Sequence, residues 1–521
     1  MLPLRRAFAI VALVLMIAPL VARAPLFDPD EGLHAAIAQE MARTGDYVTP
    51  RFLGEPFLDK PILFFWAEAL SLRAFGMNEA AVRIPPLLFG LLGMVSVAAL
   101  GRALFGERAG LMAGLVYGTM LLPLGVSQVA VHDVAIVPFM CAGVYLLLRS
   151  ADAVNLPAAL GAGVSLGLSI LTKGLVGVVF AGIFAVCFAV SRRETIWRLG
   201  TALAIAIVVA AFVAAPWYVL MERAHPGYLH YYFVERHLQG YLTSTQRHAG
   251  RAWWYYVPIV IGGSLPWTGY LARAARTARA NRLRLVVWGW LAVGFVFLSV
   301  GESKLATYAL PLFPALAILI AEVIDSNQAA IDRVGYYVYA ITLAVIPVGA
   351  ALALRIKFGG VTPTIWVTTG VLSAVIAVIA LPRVPRTPRP EMFVLSLLGL
   401  MIVVPRAAAW MTGKDVALEL NTTGHLPPHV LVLEERVGSL IFYLAPALRA
   451  EADPGRVNQG TMAGAIQRSR AEPLDGIVIV RNNLLERFER QFAVPPEPAW
   501  TAGTNTIFRV KSVQDALRGI R

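Results

Sequence analysis

Apolar runs long enough to cross a bilayer, repeated thirteen times and parted by short arginine-bearing loops, constrain this chain more than any other feature. A helix needs roughly 20 apolar residues to cross a hydrocarbon core of about 30 Å. Inside that core every backbone N–H and C=O must be satisfied within the segment. The runs fall at approximately 7 to 24, 83 to 101, 109 to 127, 134 to 149, 157 to 173, 175 to 190, 199 to 220, 255 to 272, 285 to 300, 305 to 323, 334 to 354, 362 to 381 and 391 to 409. With 58% hydrophobic and 15% charged residues among 521, the chain has more apolar side chain than a soluble core of this length requires. The fold class is a polytopic α-helical membrane protein of about 13 spans.

The formal charge of +13 would suggest nucleic acid in a soluble chain, but here it serves topology, and no nucleic-acid partner is expected. With the N-terminus cytoplasmic, Arg5, Arg6, Arg102, Arg108, Arg149, Arg192, Arg193, the run Arg273 to Arg284, Arg333, Arg383, Arg386 and Arg389 all face the cytoplasm. One missed or invented span would put later clusters on the wrong side, and an odd count leaves the C-terminus outside. The first run has an alternative reading as a signal peptide, with "ARA" at 22 to 24 as the cleavage site. Cys141 and Cys187 sit inside apolar runs, where neither a disulfide framework nor a thiolate metal site is indicated.

Two outer loops are long, at 25 to 82 and 221 to 254. In the first, Leu33, Ala36, Ile37 and Met41 recur at helical spacing, and "PILFFWAEALSLRAF" at 61 to 75 is a second short helix. Both are expected to lie flat at the outer interface. Beyond about residue 410 the runs "HVLVLEE", "DGIVIVRN" and "NTIFRV" are β-rich, with helical stretches near 462 to 470 and 483 to 491. Residues 1–410 therefore form the membrane domain, and 411–521 a small outer α/β domain carrying no phosphate loop, metal motif or nucleophile elbow.

The unusual polar groups all fall on the outer side. In "FDPDEGLHAAI", Asp28 suits a helix N-cap, Pro29 the first helical position and Glu31 the third. Asp30 is left over, compatible with general-base or charge-stabilising work. Asp59 and Lys60 precede Pro61 at the next helix start, either as a solvated pair or as a phosphate site. Asp133, beside His132 at the mouth of an apolar run, is costly unless it faces protein or a water-filled cavity. Lys173 reads as a lysine snorkelling outward. The second loop holds His225, His230, His237 and His248, in no standard zinc spacing, with Arg236, Arg247 and Arg251 suited to anionic lipid or phosphate. "GESKLATYALP" brings Lys304 and Tyr308 to the same side. Polar groups that stop at the outer mouth argue against a transporter, whose sites lie near the midplane.

In this order, "PDEGLHAAIAQEM", "GDYVTPRFLGEPFLDKP", "HDVAIVPF", "LTKGLVG", "YYFVERHLQGY", "WWYYVPIVIGGSLPW" and "SKLATYALPLFPALAIL" resemble the bacterial aminoarabinose transferases and related membrane glycosyltransferases of the protein O-mannosyltransferase superfamily. The resemblance implies a C-type glycosyltransferase architecture in the bacterial inner membrane, with active site and C-terminal domain periplasmic. It implies a sugar donor linked through phosphate to a polyprenyl lipid, and an envelope glycolipid or glycan acceptor. By the same resemblance Asp30 matches the principal catalytic carboxylate, Asp133 the second, Lys60 a lysine that holds donor phosphate, and Tyr308 a tyrosine of the lipid-phosphate cavity. Asp59 stands where relatives usually have glutamate, and His237 matches a histidine that can share a divalent metal (zinc, magnesium or manganese) with that carboxylate. Where relatives read Asp-Glu-x-Arg-Tyr, this chain has Leu33 and His34 and loses the arginine. The implied reaction moves 4-amino-4-deoxy-L-arabinose or a related sugar to lipid A. The alternatives are a protein or polysaccharide glycosyltransferase and, in another class, a lipid-linked glycan flippase or non-catalytic lipid-binding protein.

Overall fold

The computed structural model describes residues 24–243, 250–326, 333–380, 388–434, 437–461 and 475–518, with a few isolated positions. The first apolar run, its cleavage-site alternative and most of the 462 to 470 stretch lie outside the described residues. The first outer loop contains α1 (Asp30–Thr44), a two-stranded ribbon of β1 (Arg51–Phe52) and β2 (Glu55–Pro56), and α2 (Leu63–Phe75). The membrane helices then follow as α3 (Glu79–Phe105), α4 (Glu107–Thr119), α5 (Leu121–Ser127), α6 (Ile136–Leu148), α7 (Leu156–Lys173), α8 (Val176–Ser191) and α9 (Ile196–Ala224). After the second outer loop come α10 (Tyr256–Gly263), α11 (Leu271–Arg276), α12 (Arg282–Val300), α13 (Phe313–Asp325), α14 (Arg333–Phe358), α15 (Pro363–Ala380) and α16 (Pro390–Ala409).

Among the described residues, eight helices are long and apolar enough to cross a membrane, nine if α4 and α5, bent by 67°, are one span. Two shorter apolar helices, His132–Leu148 and Val176–Ser191, match expected runs. The run at 255 to 272 is not one helix. It breaks after Gly263 and resumes at Thr268, because Pro266 has no amide to carry the helical ladder onward.

The flat interfacial placement expected of α1 is not what the structure shows. Glu31 to Gln39 and Met41 are all buried, with α2 and the helix Gly438–Tyr443 packed against α1. Its apolar spacing therefore fills a protein core. Gly32 and Gly438 make this packing possible: a Cβ on Gly32 would collide with the Ser439 backbone, and one on Gly438 with the Leu33 backbone.

Beyond α16 the chain builds a five-stranded sheet in the order β4 (Val457–Gly460), β3 (His429–Leu433), β5 (Gly476–Arg481), β7 (Asn505–Arg509), β6 (Trp500–Ala502). β3 is parallel to β4 and β5, while β7 is antiparallel to β5 and β6. β5, "GIVIVR", is buried along its whole length. Its alternating residues serve two cores: Ile477 and Ile479 join the large core shared with α1 and the membrane helices, and Val478 and Val480 pack with Phe488, Phe508 and Leu517.

Candidate active site

The start of α1 is held from two directions, and two of its three carboxylates do the holding. Asp28 Oδ1 accepts the Ser439 amide at 3.1 Å, and Asp28 Oδ2 accepts the Ser439 hydroxyl. Pro29 occupies the N-cap position without a side-chain cap, so the N-cap role expected of Asp28 is replaced by this long-range tie. Glu31 accepts the Phe27 amide at 3.2 Å, a capping-type bond, and meets Arg83 of α3 in a buried bidentate pair at 2.9 and 2.8 Å. Arg83 also donates to the carbonyls of Ala24 at 2.6 Å and Pro25 at 3.0 Å, which fully engages its guanidinium. Asp30, between these anchors, is exposed, and its charge reaches Lys60 and Tyr308.

A cavity of about 470 Å³ is lined by Asp59, Lys60, Asp133, Lys173, Arg236, His237 and Tyr308; Asp30 is not among its lining residues. Six residues drawn from four separate sequence stretches are thus brought together as expected, and Lys173 joins them from a fifth. Lys173 does not snorkel outward: it pairs with Asp133 and its ammonium lies 4.1 Å from the centre of the Tyr308 ring. A signal for this was present, since Lys173 ends an apolar helix before Gly174, whose φ of +74° turns the chain sharply. Lys60 is half-buried; burial pushes its ammonium below the usual lysine value, Asp133 opposes that, and Arg236 adds to it. The rest of the wall is apolar, from Val176 and Val179 of α8 and Phe297 and Leu298 of α12. Cations at one end and hydrocarbon along the side suit a lipid bearing a phosphate.

The second outer loop supplies its contribution through a ten-residue π-helix, His230–Gln239. Tyr218, Tyr228 and Tyr232 stack at 22° and 25° with centroids 6.2 and 5.6 Å apart, which anchors the π-helix to α9. From it Arg236 reaches Asp59 Oδ2 at 3.0 Å, and Tyr231 donates its hydroxyl to Asp59 Oδ1 at 2.7 Å. Burial and that bond push the Tyr231 phenol up to about 12, so it stays a donor. His237 Nδ1 donates to the Tyr232 carbonyl at 2.7 Å, and burial lowers the pKa of its ring, favouring the neutral form.

This arrangement does not fit the divalent metal expected of Asp59 and His237. Both Asp59 oxygens are engaged, one by a guanidinium, so a metal there would have to displace Arg236 and Tyr231. Among the described residues no group of three or more His, Cys, Asp or Glu is placed to hold a metal. The cation beside Asp59 is Arg236.

Two further residues, Lys304 and Arg251, stand apart from the cavity lining. Lys304 is buried, with Nζ 3.3 Å from the Arg251 carbonyl. Arg251 is exposed and stacks on Tyr255, 4.7 Å from the ring centre. Arg247 and His248 lie outside the described residues.

The family model for dolichyl-phosphate-mannose-protein mannosyltransferases matches residues 59–219, which include Asp59, Lys60, Asp133 and Lys173. Undecaprenyl phosphate-alpha-4-amino-4-deoxy-L-arabinose arabinosyl transferase from Aeromonas salmonicida is 32% identical over 308 residues, covering 57% of this chain and 56% of that one. The protein of the same name from Enterobacter sp. is 31% identical over 319 residues, covering 59% and 57%. The matched region thus spans a little over half the length of these relatives. Among solved structures, ArnT from Cupriavidus metallidurans bound to undecaprenyl phosphate superposes with a TM-score of 0.71 at 23% identity, over 96% of this chain and 97% of that one. The archaeal oligosaccharyltransferase AglB from Archaeoglobus fulgidus gives 0.51 at 13% identity, over 92% and 69%. The fold is shared across nearly the whole chain.

Proposed function

We propose that this chain, aminoarabinose transferase-like in sequence and fold, moves a sugar from a polyprenyl phosphate-linked donor to an acceptor of the cell envelope. The observation that carries this reading is the single cavity in which Lys60, Lys173 and Arg236 converge above an apolar wall. With thirteen spans and a cytoplasmic N-terminus, the charged end of the cavity and the five-stranded sheet face the periplasm. The relatives' names favour 4-amino-4-deoxy-L-arabinose as the sugar and undecaprenyl phosphate as its carrier. Lipid A is the acceptor that the resemblance implies.

In the reaction an acceptor oxygen forms a bond to the anomeric carbon. The bond from that carbon to the phosphate oxygen breaks, and its electron pair leaves on the polyprenyl phosphate. Lys60, Lys173 and Arg236 stabilise the charge gathering there. Asp133 orients Lys173 by pairing with it, so its role is to hold the phosphate grip rather than to take a proton. Asp30, exposed at the start of α1, supports positive charge at the sugar carbon, and takes the proton when the acceptor is a hydroxyl. No step here draws on a metal, because Arg236 already neutralises Asp59.

The test is transfer of radiolabelled sugar from its undecaprenyl phosphate carrier by the purified protein, offered separate envelope lipid fractions. Label is expected in the lipid A fraction at a rate unchanged by a chelator. No transfer to any fraction would sink the reading, and loss of transfer on chelation would restore the metal. A second expectation concerns pH. The ammonium of Lys60 must be charged to grip phosphate, and burial lowers its pKa, so donor KM should rise on the alkaline side before an ordinary lysine titrates. Lys60→Arg should move that limb to higher pH; an alkaline limb unaffected by the change would remove Lys60 from donor binding.

A further inference from the structure

His34 lies one helical turn after Asp30 on α1, and it is 4% exposed. Its Nδ1 lies 2.8 Å from the carbonyl oxygen of Ala130, three residues before Asp133. A carbonyl can only accept, so Nδ1 carries the proton. The His34 ring also meets His132 edge-on, centroids 4.5 Å apart, while Phe64 and Phe65 of α2 each lie 4.6 Å from His132. His132 is wholly buried and neither ring nitrogen has a hydrogen-bond partner, so the imidazole serves as a packing plate behind Asp133. Ala130 and Val131 precede the 3₁₀ turn, which begins at His132. The Ala130 carbonyl is held from α1 instead of from its own element.

We propose that His34 is a positioning residue: its bond to Ala130 ties the helix carrying Asp30 to the turn carrying Asp133, and so fixes the spacing between the carboxylate that faces the sugar and the ion pair that grips the phosphate. The assignment deepens the transferase reading and rests on it. Asp30 is four residues before His34 and Asp133 three after Ala130, so each reacting group is about one turn from the bond. Loss of the tie lets α1 drift against the 3₁₀ turn, and misplacement of about 1 Å costs on the order of 10²-fold in rate. Donor affinity, set by Lys60, Lys173 and Arg236 on other elements, stays in place.

Two substitutions separate the bond from the packing. Asparagine places an amide N–H close to the position of Nδ1, whereas phenylalanine fills the space without a donor. In the transfer assay above, His34→Phe is expected to lower kcat about 10²-fold with donor KM within about threefold, and His34→Asn to recover most of that loss. Equal kcat for the two variants, or a loss expressed in donor KM, would overturn the positioning role. An activity-independent measurement keeps this distinct from failure of the transferase reading itself. Nitrogen NMR of the full chain carrying labelled histidine should show a protonated Nδ1 resonance that disappears in His34→Asn. If wild type transfers no sugar yet keeps that resonance, the function is wrong and the tie stands. If no such resonance is lost on substitution, the tie is absent.

Discussion

Asp30→Asn is expected to lower the turnover number for sugar transfer by about 10²- to 10⁴-fold while donor KM changes less than about threefold. Asparagine keeps the shape and removes the charge, so the substitution tests the carboxylate without disturbing the anchors around it. Asp28 and Glu31 hold α1 in place on either side, and neither bond passes through Asp30. The size of the loss also reports the acceptor. A hydroxyl acceptor must lose a proton, which puts the effect toward the upper end of the range; an acceptor phosphate is already ionised, and only orientation and charge at the sugar carbon remain. Full activity in Asp30→Asn would remove Asp30 from catalysis whatever the acceptor.

The second large effect is on stability. Glu31 and Arg83 are both almost completely buried, and each satisfies the other bidentately. Removing one partner alone leaves an uncompensated charge in a closed interior, which typically costs about 3–5 kcal/mol. Glu31→Gln or Arg83→Met is therefore expected to lower the unfolding midpoint in detergent sharply. The double substitution should cost clearly less than the sum, since no lone charge remains. Additive losses in that cycle would show that the pair is not coupled. Arg83 is worse to lose than Glu31, because the carbonyls of Ala24 and Pro25 lose their donor as well.

The carboxylates behind these two outcomes, Asp30 and Glu31, are adjacent in sequence, and they were not equally legible. Asp30 stood out because the local chemistry of a helix start accounts for its neighbours and leaves it over. Glu31 as a capping residue was half of the truth: the bond to Phe27 is there, but the ion pair reaches 52 residues away to Arg83. Asp28 satisfied the local N-cap pattern, yet its partner Ser439 is 411 residues distant, and no periodicity in the sequence points to it. Local rules describe a short polar side chain well only when its partner is local too.

Among the membrane helices the same distinction holds. Hydrophobic length is a property of one segment, so the apolar helices from α3 to α9 and from α12 to α16 were readable, while the 67° bend between α4 and α5 and the break at 264 to 267 were hidden inside runs whose composition is apolar throughout. Asp133 and Lys60 announced themselves because a charge at the mouth of an apolar helix is expensive. Lys173 has the same cost but a ready escape, since a lysine stem can carry its charge to the interface. Only the neighbouring helix, which places Asp133 beside it, decides between the two. The β-rich runs after residue 410 foretold strands; their docking onto α1 through Ser439, Phe442 and Tyr443 could not be read from strand propensity.

That docking bears on how the chain acquires its activity during synthesis. Residues are made in order, so α1 and the helices that line the cavity are made long before Ser439 leaves the ribosome. Until the helix Gly438–Tyr443 has settled on Gly32, the start of α1 lacks one of its two carboxylate anchors. Of the two carboxylate anchors that flank Asp30, only Glu31 is then in place. A late segment thus completes the site begun by an early one, and a nascent chain with every cavity residue in place still lacks one support for Asp30.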